Sequence, residues 1–134
     1  MVITPPLSAK EGKNEKISQS INPDYELPQF KIDVITIIGR YDWDVNTATA
    51  IFMAESGLNP TSVSKTNRNG TRDYGVAQIN SIHKGKVSGD INQLLDPETN
   101  IRVAYEIYKG RGNFSAWSAF NNKRYLKYKN IIKE

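Results

Sequence analysis

The fold of this chain is decided by one continuous stretch, AESGLNPTSVSKTNRNGTRDYGVAQINS, which covers residues 54–81. A mostly apolar series at helical spacing leads into it, comprising Val45, Ala48, Ile51 and Phe52. Glu55 is the next position of the same series. Gly57 followed by Pro60 is a helix-stop signal. The start of the stretch therefore predicts a helix that carries an acid towards the protein interior and then ends.

The rest of the stretch is polar and rich in turn-forming residues. Asn69-Gly70 is the strongest short hairpin signal, and it lies between residues that could form two short strands. We therefore expect a small β-hairpin within residues 61–76. We expect the next helix to begin near Gln78.

Two helices are expected before this hairpin. FKIDVITIIGRY, residues 30–41, has an apolar rhythm that favours a helix, although its β-branched residues make a strand conceivable. A helix is preferred because a second helical pattern follows closely. That second helix is expected to start at Asp44, a good N-cap residue, and to end near Ser56 and Gly57.

Helices are also expected after the hairpin. Asp96 with Pro97 at the first helical position is a strong start signal, and the GRG segment at 110–112 ends that helix. A short apolar helix over 114–120 and a basic helix reaching about Lys133 complete the pattern. The chain is therefore predicted to be α+β and mainly α-helical, with one small hairpin.

Composition limits the kinds of protein that this chain can be. Its 134 residues suit one domain, and the absence of cysteine excludes disulfides, thiolate metal sites and cysteine nucleophiles. No stretch approaches the ~18 apolar residues of a membrane span. The net charge of +4 favours anionic partners, which could be nucleic acid, anionic lipid or a bacterial cell wall.

Residues 1–28 differ in composition from the remainder. They carry four of the six prolines and few large apolar residues, which predicts a flexible N-terminal arm or linker. The folded domain is accordingly expected over 29–134. Residues 1–16 lack the apolar core of a signal peptide, so no signal peptide is visible in this sequence.

Two acids are candidates for catalysis. A carboxyl group in an apolar setting, as expected for Glu55, favours its protonated form and can donate that proton. Asp73 follows the hairpin signal among side chains that can form hydrogen bonds, and an acid in a polar site stays ionised. Two carboxyl groups in opposed environments are what glycoside hydrolysis requires. Many buried acids are structural, paired with an arginine or with backbone donors, and this alternative stays open for Glu55.

Three segments in order, ESGLNP, TNRNGTRDYGVAQINS and AWSAF, resemble the lysozymes of the chicken type. These lysozymes carry a Glu-Ser at a helix end, an Asn-rich hairpin, an Asp-Tyr-Gly-Ile-x-Gln-Ile-Asn-Ser segment and a later Ala-Trp pair. The resemblance runs from about Thr47 to Phe120. The segments ESGLNP, YGVAQI and DPETNI also resemble the lytic transglycosylases, which share the same superfamily fold. The resemblance implies a lysozyme-like fold with a substrate cleft.

The resemblance also implies a role for each matching residue. Glu55 would be the general acid and Asp73 the nucleophile or electrostatic stabiliser, while Trp117 would pack near Glu55 and help to keep it protonated. Further substrate-site residues would be Gln78 and Asn80 for sugar or catalytic water, Asn67 and Asn69 as braces of Asp73, and Ala116 for an N-acetyl group. The substrate would be the β-1,4 link between N-acetylmuramic acid and N-acetylglucosamine in peptidoglycan. The chain would act as a monomer, without cofactor or metal.

The chain departs from the chicken-type pattern in two respects. Animal members rely on several disulfides, so a cysteine-free chain suggests a bacterial, phage or other intracellularly made origin. After Asn80-Ser81 the family often has tryptophans that stack on sugar rings, whereas Ile82, His83 and Lys84 follow here. The expected place of action is the cell wall, reached as an extracellular, periplasmic or phage-delivered protein.

Four functions remain open from the sequence. The first is a retaining muramidase that uses both acids. The second is a lytic transglycosylase, in which Glu55 acts alone and the product carries a 1,6-anhydro ring. The third is a glycan-binding module that does not cleave. A nucleic-acid binder is the weakest alternative, because it rests only on net charge and KRYLKYK at residues 123–129.

Overall fold

The computed structural model describes residues 20–133, and within this range helices surround one small sheet. The α-helices are α1 (Gln29–Ile38), α2 (Val45–Ser56), α3 (Pro97–Arg111) and α4 (Ser118–Asn121), and 3₁₀ helices span Ser81–Val87, Ile91–Leu95 and Arg124–Tyr128. Strands β1 (Asp73–Tyr74) and β2 (Ile79–Asn80) form an antiparallel pair. The predicted mainly helical α+β class is confirmed.

The end of α2 and the start of α3 agree with the local signals. Gly57 adopts the left-handed conformation at φ 68°, and its N–H donates to the carbonyl of Met53 at 2.9 Å, which closes the last turn of α2. Asp96 caps α3 by accepting the N–H of Thr99 at 3.0 Å, with Pro97 as the first helical residue. The segment beginning at residue 30 is helical, so the strand alternative for it is wrong.

The turn of the β-hairpin is not the one that the sequence indicated. Strands β1 and β2 are joined through Gly75 to Gln78, and the N–H of Gln78 donates to the carbonyl of Gly75 at 3.1 Å. The prediction that a helix begins near Gln78 is therefore wrong. Gln78 lies in this turn, and a 3₁₀ helix begins only at Ser81. Both Gly75 (φ 76°) and Gln78 (φ 52°) have left-handed backbone, which reverses the chain.

Asn69-Gly70 forms a turn of a different connection. The N–H of Gly70 donates to the carbonyl of Asn67 at 2.9 Å, and this loop is joined at its base by a bridge between Val63 and Tyr74. The loop therefore precedes β1 and is paired with it through this bridge. The expected turn exists, but it precedes the hairpin that carries the site.

The C-terminal segment is not the expected helix. It forms a short 3₁₀ helix, Arg124–Tyr128, after which Ile131 and Ile132 are buried. Ile132 forms an antiparallel bridge with Ile21. Tertiary pairing and burial of these isoleucines outweigh the helical tendency of the basic segment.

Most of the arm predicted over residues 1–28 lies outside the described residues, as does the stretch that lacks a signal-peptide core. The described part of the arm lies against the domain. A bridge pairs Ile21 with Ile132, and Tyr25 and Leu27 pack against the core. The domain boundary at residue 28 stays a prediction.

The core is apolar and rich in aromatic rings. The indole of Trp43 is surrounded by other rings at centroid distances of 5.2–6.0 Å, namely those of Tyr41, Phe52, Tyr105, Tyr108 and Phe114. Its N–H donates to the carbonyl of Ile38 at 2.9 Å, so this buried polar group is satisfied. Phe52 continues the cluster to Trp117. No helix within residues 20–133 has the length and apolarity needed to cross a membrane.

Candidate active site

Glu55 lies in the last turn of α2 and is half-buried. Its Oε2 accepts the backbone N–H of Ala119 at 3.1 Å and faces the hydroxyl of Ser118 at 3.5 Å. Arg124 donates to the same hydroxyl at 3.2 Å. The other carboxyl oxygen, Oε1, forms no hydrogen bond with the described residues. The carboxyl group is therefore held by one oxygen and free at the other.

Asp73 lies on β1 and is also half-buried. Its Oδ1 accepts the side-chain amide of Asn80 at 3.0 Å, and its Oδ2 accepts that of Asn67 at 3.2 Å. The hydroxyl oxygen of Thr71 accepts from both amides, at 3.1 Å and 2.9 Å. Two amides and one hydroxyl thus fix the plane of the carboxylate.

Asn69 forms no hydrogen bond with Asp73, in contrast to the expectation that it braces this acid directly. Its side-chain oxygen accepts the N–H and the hydroxyl of Thr71, at 3.1 Å and 2.6 Å. Thr71 in turn orients the amides of Asn67 and Asn80. Asn69 therefore acts on Asp73 only through Thr71.

A cleft of about 320 Å³ brings most of the predicted site residues together. Its described lining consists of Asp73, Gln78, Ile79, Asn80, Ile82, His83, Ile107, Arg111, Ala116 and Trp117. Glu55 is not part of this lining, and it is instead tied to the segment 117–119 that follows the cleft residue Ala116. Asn67 and Asn69 are also not part of the described lining.

Trp117 joins the cleft wall to the hairpin turn. Its ring is 4% exposed and packs on Phe52, three residues before Glu55 in α2, at a centroid distance of 5.6 Å. Its indole N–H donates to the carbonyl of Ala77 at 2.8 Å. Packing of Trp117 near the end of α2 is thus observed, while its effect on the protonation of Glu55 stays a prediction.

Gln78 uses its amide nitrogen within the turn. The nitrogen donates to the carbonyl of Gly75 at 3.0 Å and to that of Ser62 at 3.3 Å. Its side-chain oxygen has no hydrogen bond with the described residues. Because Gln78 lines the cleft, this oxygen is the part of the side chain left to accept a ligand donor.

Asn100 anchors the same turn, and the sequence interpretation missed it. Although fully buried on α3, its side chain accepts the N–H of Ala77 at 2.8 Å and donates to the carbonyls of Tyr74 and Leu94, each at 2.8 Å. All the contacts of this buried amide are therefore satisfied. A signal was present in the sequence, because Asn100 is a polar residue on the apolar face of α3 that Ile101 shares.

Ser56 holds the turn from the side of α2. Its hydroxyl donates to the carbonyl of Val76 at 2.6 Å. The residue next to Glu55 therefore binds the turn that leads to Asp73 and Asn80. This contact links the positions of the two acids through the backbone.

His83 has a perturbed environment in the cleft. Partial burial lowers the pKa of its imidazole below the ordinary value, and the positive charges of Lys86 and Arg111 lower that pKa further. Its neutral form is therefore favoured near neutral pH. The residues that directly follow Asn80 include no tryptophan. Ile82, which precedes His83, is 70% exposed and offers an apolar side chain there instead.

No group of three or more histidine, aspartate or glutamate side chains able to hold a metal ion occurs in the part of the chain that the structure describes. The polar groups of the cleft are amides, one carboxylate, an imidazole and a guanidinium. Such groups suit a neutral or anionic polar ligand such as a sugar.

Fold and site together define a small helical protein with a cleft that Asp73 lines and a second acid, Glu55, that is bound to residues 118 and 119. The chain belongs to the family described as Lysozyme like domain, whose model matches residues 33–119. The resemblance to lysozymes read from the sequence is confirmed.

Individual relatives carry the name lysozyme. The chain is 34% identical to Lysozyme C of Penaeus merguiensis, with 60% of each protein covered. It is 38% identical to a lysozyme of Hyalophora cecropia, covering 51% of this chain and 55% of that protein. For a lysozyme of Antheraea mylitta the identity is 38%, with 51% and 64% covered. The chain thus spans less than two thirds of the length of each relative, and no solved structure gives a significant match.

Proposed function

We propose that this chain is a muramidase, which hydrolyses the β-1,4 bond between N-acetylmuramic acid and N-acetylglucosamine in peptidoglycan. The observation that carries the proposal is the environment of Asp73, whose two carboxylate oxygens each accept an amide N–H at the cleft. A carboxylate held in this way can face the positive charge that develops on the sugar carbon. The two-carboxylate mechanism is itself exemplified by lysozyme. The mechanism and the family membership therefore count as one argument and not as two.

Glu55 takes the acid role in this proposal. The contact with Ala119 orients one carboxyl oxygen, and the free Oε1 donates a proton to the leaving glycosidic oxygen. Asp73 acts as nucleophile or as electrostatic stabiliser on the other side of the bond. Glu55 then removes a proton from the water that completes hydrolysis, with retention at the sugar carbon.

Product analysis distinguishes hydrolysis from the transglycosylase reaction. Purified cell wall is digested with the chain, and the muramyl ends of the fragments are identified by mass spectrometry. Reducing ends are expected, because water completes the reaction. A predominance of 1,6-anhydro ends would mean that Glu55 acts alone and that the chain is a lytic transglycosylase.

Replacement of Asp73 tests the second acid. Asp73→Asn removes the charge while an amide can still occupy the same space, and turnover should fall by at least about a hundred-fold, as expected when a catalytic charge is lost. Asp24→Asn is the matched control, since Asp24 is exposed and its carboxylate has no hydrogen bond with the described residues. Near-normal activity of Asp73→Asn would favour the transglycosylase.

The remaining alternative is a module that binds glycan without cleaving it. Retained binding of cell wall by a chain that releases no fragments would establish that function instead. The place of action in the present proposal is the cell wall, which the chain reaches as an extracellular, periplasmic or phage-delivered protein. Peptidoglycan strands are its partner, and it works as a monomer without nucleic acid.

A further inference from the structure

Part of the cleft takes no role in the proposed bond cleavage. This part, which we call the Ile–Arg wall, consists of Ile82, His83, Ile107 and Arg111. The first two residues come from the 3₁₀ helix Ser81–Val87, and the other two come from the last turns of α3. Two separate elements therefore contribute one apolar and one polar side chain each to the same space.

Arg111 is a permanent cation that no described residue neutralises. The side chain is exposed and forms no ion pair, hydrogen bond or cation–π contact with residues 20–133. A cation in the last turn of a helix is favoured by the helix dipole. Lys109 satisfies that preference in the same turn without lining the cleft, since its ammonium lies over the Tyr105 ring at 5.9 Å. The dipole does not explain why a guanidinium lines the cleft.

The neighbours of Arg111 define what the wall can bind. Ile82 is 70% exposed and Ile107 is half-buried, so both offer apolar surface beside the guanidinium. His83 and Arg111 line the same cleft, so both side chains can face a ligand bound there. Asp73 lines the same cleft but forms no ion pair with Arg111. The guanidinium therefore has its planar set of donors available for an anion.

The inference rests on the proposed function and names the feature of the substrate that the wall recognises. We propose that the Ile–Arg wall binds the carboxylate-bearing side group of a muramyl residue, with Arg111 pairing with the carboxylate and the two isoleucines covering its apolar part. The lactyl group of muramic acid carries a methyl and a carboxylate, and a stem peptide attached to it also ends in a carboxylate. N-acetylglucosamine carries neither. The wall thus selects muramyl glycan over chitin.

Variants at Arg111 test this selection. We expect Arg111→Gln to lower kcat/KM for muramyl glycan by about ten-fold, the loss typical of one charge-assisted hydrogen bond. Cleavage of chitohexaose should stay within about two-fold of the unmodified chain, as for a surface substitution without contacts. Arg111→Lys should recover part of the loss because it keeps the charge. Lys109→Gln is the matched control, since it removes one positive charge from the same turn outside the cleft.

Two forms of the muramyl substrate distinguish the source of the carboxylate. One is glycan freed of peptide, in which the lactyl carboxylate is exposed, and the other keeps its stem peptides. A loss on the peptide-free glycan assigns the contact to the lactyl group. A loss confined to the peptide-bearing glycan assigns it to the stem peptide. Equal losses on chitohexaose and muramyl glycan, or an equal effect of Lys109→Gln, would overturn the inference.

Binding separates this inference from the proposed hydrolysis. Calorimetry with peptide-free and with peptide-bearing muramyl tetrasaccharide measures both affinities in the Glu55→Gln background, where cleavage is removed. If Arg111→Gln weakens either affinity by about ten-fold, the inference stands even when the unmodified chain releases no product. If both affinities are unchanged while the unmodified chain cleaves cell wall, only the inference fails. If the unmodified chain neither binds nor cleaves muramyl glycan, both proposals fail.

Discussion

Asn80 faces Asp73 directly across the antiparallel strand pair, and its side-chain amide donates to Oδ1 of that acid at 3.0 Å. Residues opposite each other in such a pair present their side chains on the same face. The orientation of Asp73 therefore depends on the register of β1 and β2. That register depends on the turn from Gly75 to Gln78, which α2, α3 and Trp117 hold by hydrogen bonds.

Removal of the amides should loosen Asp73. We expect Asn80→Ala and Asn67→Ala each to reduce kcat on cell-wall substrate by about ten-fold, because each removes one hydrogen bond to the carboxylate. Asn69→Ala is the control and should have a smaller effect, because Asn69 reaches Asp73 only through Thr71. Equal effects of all three variants would show that the amides act only on the stability of the loop.

Alanine substitutions at Gly75 and Gly70 should distinguish the cost of a strained backbone from the cost of a steric clash. Both have positive φ, at 76° and 85°. A Cβ at Gly75 would lie 2.4 Å from the amide nitrogen of Asn100 and 2.4 Å from the carbonyl of Leu94, whereas nothing lies within 4 Å of one at Gly70. Gly70→Ala should cost about 1–2 kcal/mol of unfolding free energy and Gly75→Ala more than about 3 kcal/mol. Urea unfolding measures both, and similar losses would contradict the close approach of Asn100.

The two tryptophans provide a matched pair for activity. Each donates an indole N–H to a backbone carbonyl, Trp117 to Ala77 at 2.8 Å and Trp43 to Ile38 at 2.9 Å. Replacement of either by Phe keeps an aromatic ring and should cost about 1–3 kcal/mol, because the indole hydrogen bond to the carbonyl is lost. Only Trp117→Phe should also lower kcat, since Ala77 belongs to the turn that sets the strand register. A comparable loss of kcat in Trp43→Phe would mean that general destabilisation explains the effect.

His83 should titrate below the ordinary pKa of about 6.5. It is the only histidine in the sequence, so its imidazole signals in NMR spectra are free of overlap. Because burial and the nearby cations lower its pKa in the folded chain, the unfolded chain binds more protons between the two pKa values. The free energy of unfolding should therefore fall as the pH drops below about 6.5 and level off below the lowered pKa. An NMR midpoint at or above 6.5 would contradict this.

The local signals of the sequence were sufficient for the end of α2 and the start of α3. Gly57 ended α2 and Asp96 with Pro97 began α3, because caps and proline act within one turn of the backbone. The turn between β1 and β2 was predicted at the wrong place, because contacts from distant parts of the chain determine it. Asn69-Gly70 is locally the better turn former, but Asn100 binds the backbone of Tyr74 and Ala77 from a distance of 26 and 23 residues along the chain.

The sequence by itself determined the mainly helical class, the family and the identity of Glu55 and Asp73 as the acids of interest. Tertiary structure decided how the two acids are held, since the donors to Glu55 come from residues 118 and 119 and those to Asp73 from Asn67 and Asn80. It also decided that Arg111 lines the cleft of Asp73. Propensity and spacing act over a few residues, whereas these contacts depend on packing between elements that are distant in the sequence.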